Sequence, residues 1–256
     1  MHVAEHGTGK PLLLVHGLGS SGHAWLPVLE PLAKARRVIV PDLPGHGATP
    51  PAEDSGTFAG LVRSLTEWLE VTGLTGVDMV GSSLGGRVVV ELARRGLAGN
   101  VVALDPGGFW EGWERQLAVT SLTASRALGN ALKPVLPALC GNAVSRSAIL
   151  AQLSARPWAL DGAFVAEEVR MLAETPTVPA LILDLGYGPG QEGAAETKGR
   201  LAIGWGRHDR LCLPVQGRRA AARFPSARLH WFEHSGHFPL WDEPAETVKL
   251  IGEVCG

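Results

Sequence analysis

Gly81-Ser82-Ser83-Leu84-Gly85 places a serine midway between two glycines, after the apolar run Val77-Asp78-Met79-Val80 and before a helical pattern that begins at Leu84. In that strand–turn–helix setting the glycines let the backbone turn tightly and project Ser83 as a nucleophile. Ser82 sits off-centre and reads as structural. A serine hydroxyl is a weak nucleophile at neutral pH and needs a base. Of the nine histidines, His237 in Gly236-His237-Phe238-Pro239 follows the last predicted strand and precedes a C-terminal helix, on a loop that reaches the same sheet edge as Ser83. His237 is therefore the expected base, with His208 and His234 as nearby competitors.

The base in turn needs a carboxylate to fix its tautomer and stabilise the imidazolium. Asp209, in Gly206-Arg207-His208-Asp209-Arg210, follows a strand ending at Trp205 and is the expected acid. Asp105 also ends a strand, the one after the nucleophile strand, and is the alternative. The order Ser83, Asp209, His237 suits acyl transfer on an α/β sheet. His16-Gly17-Leu18-Gly19 forms a turn after the first strong strand. Its Leu18 backbone N–H, with that of Leu84 at a helix start, could hold a developing oxyanion. His16 reads as a loop anchor, and Asp42-Leu43-Pro44-Gly45-His46-Gly47 as a buttress with no chemistry of its own.

These residues need a sheet edge to meet on. Continuous rather than alternating apolar runs occur at Leu12-Leu13-Leu14-Val15-His16, Val38-Ile39-Val40, 77–80, Val101-Val102-Ala103-Leu104, 201–205 and 228–232. Such runs suit strands buried on both faces of a parallel sheet. Helical patterns lie between them, at about 25–34, 56–72, 84–96, 214–224 and 244–254, so a doubly wound, mostly parallel α/β sheet is predicted. The alternation breaks at 107–199, where helices are predicted over 113–132, 145–153 and 162–173, with prolines at their boundaries. The expected organisation is a core of 1–106 and 200–256, with an inserted helical cap and a return loop over 107–199. Residues 178–185 could be a strand or a short helix.

Composition excludes several function classes. With 45% hydrophobic and 19% charged residues over 256, the chain is neither disordered nor fibrous. A net charge of −2 without a basic run argues against nucleic acid as a partner. No apolar stretch is long enough to span a bilayer, and the N-terminus lacks a charged start followed by an apolar run. Cys140, Cys212 and Cys255 are too scattered for a disulfide framework or a metal knuckle, and a cytoplasmic protein is expected. Neither a phosphate loop, nor a dinucleotide fingerprint in the right context, nor metal-ligand spacing is present, so no cofactor and no metal are expected. The oligomeric state is left open.

Taken together, His16-Gly17, the Asp42 to Gly47 loop, Gly81 to Gly86, Gly206-Arg207-His208-Asp209 and Ser235-Gly236-His237 resemble the α/β-hydrolase fold superfamily, in its esterase-like serine branch. The resemblance covers roughly 10–106 and 200–256; the intervening block matches only as a variable cap. It implies a serine hydrolase that cleaves carboxylic esters of small or medium apolar substrates through Ser83, His237 and Asp209. Carbon–carbon hydrolases and lyases with the same triad, hydroxynitrile-lyase-like and perhydrolase-like activities, and ligand receptors on the same fold stay open. Ser83 speaks against the dehalogenase-like and epoxide-hydrolase-like members, which carry aspartate there. Arg87, after the elbow, resembles an anion-binding arginine of one lyase branch, or else is a surface or supporting residue. The cap is rich in large apolar residues, and Trp110, Trp113 and Trp158 are the expected substrate contacts.

Overall fold

In the computed structural model, which describes residues 1–256, the apolar runs become the interior of one sheet. Its strands are β1 (Val3–His6), β2 (Pro11–Val15), β3 (Arg37–Pro41), β4 (Asp78–Ser82), β5 (Val101–Leu104), β6 (Leu201–Gly206) and β7 (Arg228–Phe232), in the order β1-β3-β2-β4-β5-β6-β7. Every neighbouring pair from β3 to β7 is parallel; only β1, on β3, is antiparallel. Nearly every residue of β2 to β6 is buried, which explains why those strands read as unbroken apolar runs.

Eleven helices surround the sheet. α1 (Leu26–Ala33), α2 (Phe58–Val71) and α3 (Leu84–Arg94) lie between the earlier strands. Between β5 and β6 come α4 (Trp113–Leu132), α5 (Leu136–Gly141), α6 (Ala143–Ile149), α7 (Gly162–Glu174) and α8 (Val178–Tyr187); α9 (Pro214–Arg223), α10 (Pro239–Asp242) and α11 (Pro244–Cys255) complete the chain. Successive strand residues point to opposite faces. Leu13 and Val15 therefore join the layer with Leu61 and Leu65 of α2 and Val88 and Val89 of α3. Leu12 and Leu14 join Val28 and Leu32 of α1 and Leu250 and Ile251 of α11. The doubly wound architecture predicted from the apolar runs is the one observed.

Three local features differ from, or sharpen, the expectation. β1 was not foreseen, because Val3-Ala4-Glu5-His6 is half polar and only partly buried, as suits an edge strand. Residues 178–187 resolve as helix: Pro179 stands in the first turn, where its missing N–H costs nothing. α6 begins at Ala143 rather than Ser145 because the Asn142 side chain accepts from the Val144 and Ser145 amides and caps it there. Cys140, Cys212 and Cys255 are free and buried, and no helix is long and apolar enough to cross a membrane.

The inserted helices have a small core of their own around Leu136, Cys140, Leu150 and Val165. Polar contacts fasten them to helices and a loop of the surrounding fold. The Ala155 amide donates to Asp242 Oδ2 (2.8 Å), the Phe58 amide to Asp184 Oδ2 (2.7 Å), and the Thr177 hydroxyl to Gly45 O (3.3 Å).

Close approach of α3 to the sheet edge depends on glycine. A Cβ on Gly85 would stand 2.1 Å from Val15 O and 2.4 Å from His16 O, both backbone atoms that cannot swing aside. Gly85→Ala is expected to lower the unfolding free energy by about 3 kcal/mol or more, read from urea denaturation. An alanine variant as stable as the parent would mean that α3 does not press on β2.

Candidate active site

Ser83 follows β4 directly and precedes α3 with φ 55° and ψ −113°. This left-handed backbone is rare for a residue with a side chain and stores strain. It is pinned on both sides: the Ser83 amide donates to Leu104 O (2.8 Å), and Ser83 O accepts from Arg87 N (3.0 Å) and Gly107 N (3.3 Å). The turn aims Oγ at His237 Nε2, 2.8 Å away. On the far side of the ring, Nδ1 lies 2.8 Å from Asp209 Oδ2. The sequence-predicted nucleophile, base and acid thus meet in one hydrogen-bonded line.

Each partner is fixed by its own loop. The His237 amide donates to Leu153 O (2.9 Å), so the inserted helices hold the base loop. The ring packs edge-on to Phe238 at 4.8 Å between centroids. Asp209 Oδ1 accepts from the Leu211 and Cys212 amides at 2.8 and 2.9 Å, leaving Oδ2 for His237. The alternative acid, Asp105, also ends a strand, with φ 44°, but it accepts from the Gly206 amide (2.9 Å) and lies beside Asp209 rather than His237. Burial and the neighbouring Asp209 carboxylate push the Asp105 carboxyl well above the ordinary range.

The amides of Leu18 and Leu84 have no acceptor within the protein, and both residues line the cavity that holds Ser83 and His237. These are the two amides expected to hold an oxyanion, and both residues stand beside Ser83 and His237. Behind it, His16 is wholly buried: Nδ1–H donates to Gly17 O (2.8 Å) and Nε2 accepts the Leu43 amide (2.9 Å). Burial lowers its proton affinity, so it is a neutral anchor between the Leu18 turn and the Asp42 loop. His46, tilted over it at 5.2 Å, is pushed down to about 3 by burial. Asp42 accepts from the Gly22 and Ala48 amides (2.9 Å each), a buttressing role as expected.

The cavity, about 60 Å³, is mostly apolar, walled by Trp110, Leu122, Leu153, Leu172 and Leu185. Of the three tryptophans expected to contact substrate, only Trp110 is there. Trp113 is 67% exposed; α4 faces the cavity with Ala118 and Leu122, and a residue five positions before Ala118 lies about 140° around the helix. Trp158, 58% exposed, stands on a 3-10 turn and lines a separate open cleft with Arg156, Arg210, His208 and His234. The expectation for Trp113 and Trp158 is corrected accordingly. Leu211, Cys212 and Phe238 were missed although they adjoin the triad in sequence; Leu153 and Leu172 carried no signal.

Arg87 does not reach the cavity. It is buried, lies 3.8 Å over the Phe58 ring and donates to Pro189 O (2.6 Å), holding the return loop; burial lowers it to about 10. Cys212, Asp209 and His237 offer potential ligand atoms within 4.8 Å of one another. The carboxylate and imidazole are already committed to each other and to backbone amides, and burial keeps the Cys212 thiol protonated. In this set Cys212 serves as cavity wall.

With fold and geometry in place, comparison with known proteins is direct: the alpha/beta hydrolase family model matches residues 12–250. The chain belongs to that family. Among relatives of this family member, the acetyltransferase component of an acetoin cleaving system from Cupriavidus necator is 30% identical over 265 residues, spanning all of this chain and 66% of that protein. A 2-hydroxy-6-oxo-6-phenylhexa-2,4-dienoate hydrolase from Burkholderia cepacia is 25% identical, over 98% of this chain and 89% of that one. The solved structure of an Exiguobacterium antarcticum esterase superposes with a TM-score of 0.78 at 15% identity, covering 98% and 94% of the two chains.

The two neighbouring carboxyls make opposite predictions. Asp209→Asn should lower kcat by about 10⁴, because the amide favours the wrong imidazole tautomer. Asp105→Asn should leave kcat within a few-fold. Because the folded-state affinity of Asp105 for its proton is raised, its contribution to stability is full below about pH 4, the unfolded value, and is lost as pH rises toward the folded one. The asparagine variant should thus gain on the parent in stability between pH 4 and 8, measured by denaturant titration at several pH values. A larger kcat loss in Asp105→Asn would exchange the two roles.

Proposed function

We propose that the protein is a serine hydrolase that cleaves carboxylic esters with small or medium apolar acyl groups through an acyl-enzyme. The observation that carries this is the line Ser83–His237–Asp209 opening into an apolar cavity beside the free Leu18 and Leu84 amides. Ser83 Oγ attacks the ester carbonyl carbon while its proton passes to His237 Nε2, and Asp209 at Nδ1 stabilises the imidazolium. The negative oxygen of the tetrahedral intermediate accepts from the Leu18 and Leu84 amides. Collapse breaks the bond to the alcohol, which leaves with the proton from His237. Water, deprotonated by His237, then attacks the acyl carbon, and Ser83 leaves with its proton restored and the carboxylic acid released. No cofactor enters this scheme, and three free thiols suit a reducing, cytoplasmic compartment.

Carbon–carbon cleavage is the second reading, favoured by the similarity to the Burkholderia dienoate hydrolase. A dienoate carries a carboxylate, and no lysine or arginine lines this cavity, which weighs toward the ester. A ligand receptor on the same fold would be stabilised by its ligand against heat, with turnover near zero.

Ser83→Ala should reduce kcat by about 10⁴ or more and abolish labelling by a fluorophosphonate, while Ser82→Ala costs little. Equal losses in both variants would remove the assignment. A buried CH₂ contributes about 0.8 kcal/mol, close to fourfold in kcat/KM, until the wall is met. On p-nitrophenyl esters kcat/KM should climb from acetate to butyrate and fall for long chains. Trp110→Ala should shift the optimum to longer acyl groups. A flat profile would refute an enclosed acyl site, and cleavage of a vinylogous diketone without ester turnover would favour the second reading.

A further inference from the structure

The turn that carries the Leu18 amide does not rest on the sheet alone. One stripe of α7, Phe164, Glu168, Met171 and Leu172, has the i, i+4, i+7, i+8 spacing of a single helix face and lies against residues 19–23. Glu168 Oε2 accepts from the Ser20 hydroxyl at 2.8 Å, and Glu168 Oε1 lies 2.7 Å from His23 Nδ1. The His23 ring stacks on Phe164 at 4.9 Å, and the Ser21 hydroxyl donates to Met171 Sδ at 3.3 Å. Gly19, at φ +66°, is so close that a Cβ there would stand 2.7 Å from Leu172 Cδ1 and 2.9 Å from its Cα. Leu172 itself lines the cavity beside Leu18.

We infer that Glu168 is a positioning residue for the oxyanion site, holding the Leu18 turn in register with Ser83 through Ser20 and His23. This inference rests on the serine-hydrolase reading above. Glu168 does not touch the cavity, so it takes no part in the chemistry directly. It is nearly fully buried, and a carboxyl so placed is costly unless its oxygens are satisfied. Its side-chain partners are two residues that closely follow the turn, Ser20 and His23. Burial raises the proton affinity of Glu168, and the bond to Glu168 raises that of His23; the 2.7 Å contact between them holds whichever of the two carries the proton. The same helix registers the base from the other side. Phe164 meets Trp241 edge-on at 5.4 Å, Trp241 stacks on Phe238 at 4.0 Å, and Phe238 contacts the His237 ring. An oxyanion donor works only if fixed in advance at the place where charge will develop; α7 supplies that fixation from the inserted helices.

The test combines hydrogen exchange over residues 17–25 with p-nitrophenyl butyrate kinetics for Glu168→Ala, Glu168→Gln and Ser20→Ala. In Glu168→Ala, exchange should quicken about tenfold and kcat fall roughly 10- to 100-fold, part of the 10²–10³ carried by an oxyanion donor. KM should stay within about twofold, the mark of an interaction made in the transition state. Glu168→Gln, which keeps one acceptor, should recover part of the loss. Ser20→Ala, which leaves the His23 bond intact, should show a smaller loss of the same kind and decides the matter should Glu168→Ala not fold. Unchanged exchange, faster exchange with unaltered kcat, or a loss confined to KM would each overturn the inference. Should the wild type hydrolyse no ester, the rate at which Ser83 is labelled by a fluorophosphonate replaces kcat, since the phosphonyl oxygen uses the same amides. A wild type that neither hydrolyses nor labels removes the serine-hydrolase reading, and the exchange rates alone then decide whether Glu168 clamps the turn.

Discussion

At the carboxyl end of β4 the chain reverses into α3 with no room for a side chain two residues before or two residues after Ser83. A Cβ on Gly81 would meet Gly85 O at 2.2 Å, and one on Gly85 would meet Val15 O at 2.1 Å. This contact between bare backbones brings α3 onto β2 and forces Ser83 into the left-handed region. The rest of the site follows from it. Because α3 starts so close to β2, the Leu84 amide and the Leu18 turn, which follows β2, open into the same cavity as Ser83. The strain at Ser83, of the order of 1–3 kcal/mol, is held by the central position of β4, paired on both sides by β2 and β5.

A second constraint concerns charge. Asp105 and Asp209 follow neighbouring strands and sit in the same buried corner, where two carboxylates side by side cannot both ionise. The backbone decides between them. Asp209 receives two amides and the imidazole, whereas Asp105 receives only the Gly206 amide. Three donors thus surround Asp209, whereas burial beside a second carboxyl raises the proton affinity of Asp105. Both residues follow a strand at the carboxyl edge, so strand position alone is ambiguous; what separates them is that Asp209 reaches the imidazole and has the larger set of donors.

That contrast marks how far the amino-acid sequence could be read. Ser83, His237 and Asp209 were legible because each stands at a strand end with glycine nearby, and a parallel sheet brings strand ends to one edge. The strands themselves were legible because burial on both faces leaves unbroken apolar runs. The cavity wall was much less so. Residue size picked out Trp110, Trp113 and Trp158 together, yet only helix phase and the cap's own packing distinguish the first from the others. Glu168 gave no signal at all, since a glutamate on an amphipathic helix ordinarily faces water, and its partners Ser20 and His23 are 148 and 145 residues away.

The inserted helices are therefore better understood as part of the active site than as a cover over it. Leu153 O accepts the His237 amide, Asp242 and Asp184 receive the Ala155 and Phe58 amides, and Glu168 accepts from the Ser20 hydroxyl beside the Leu18 turn. Several of these contacts are buried, and leaving a buried donor or acceptor without its partner costs about 1–3 kcal/mol each. Lifting the whole block would break all of them at once and would also free the His237 loop and the Leu18 turn. Displacing single apolar side chains such as Leu122 or Leu172 breaks none of them. Such local displacement opens the cavity while the line from Ser83 through His237 to Asp209 stays assembled.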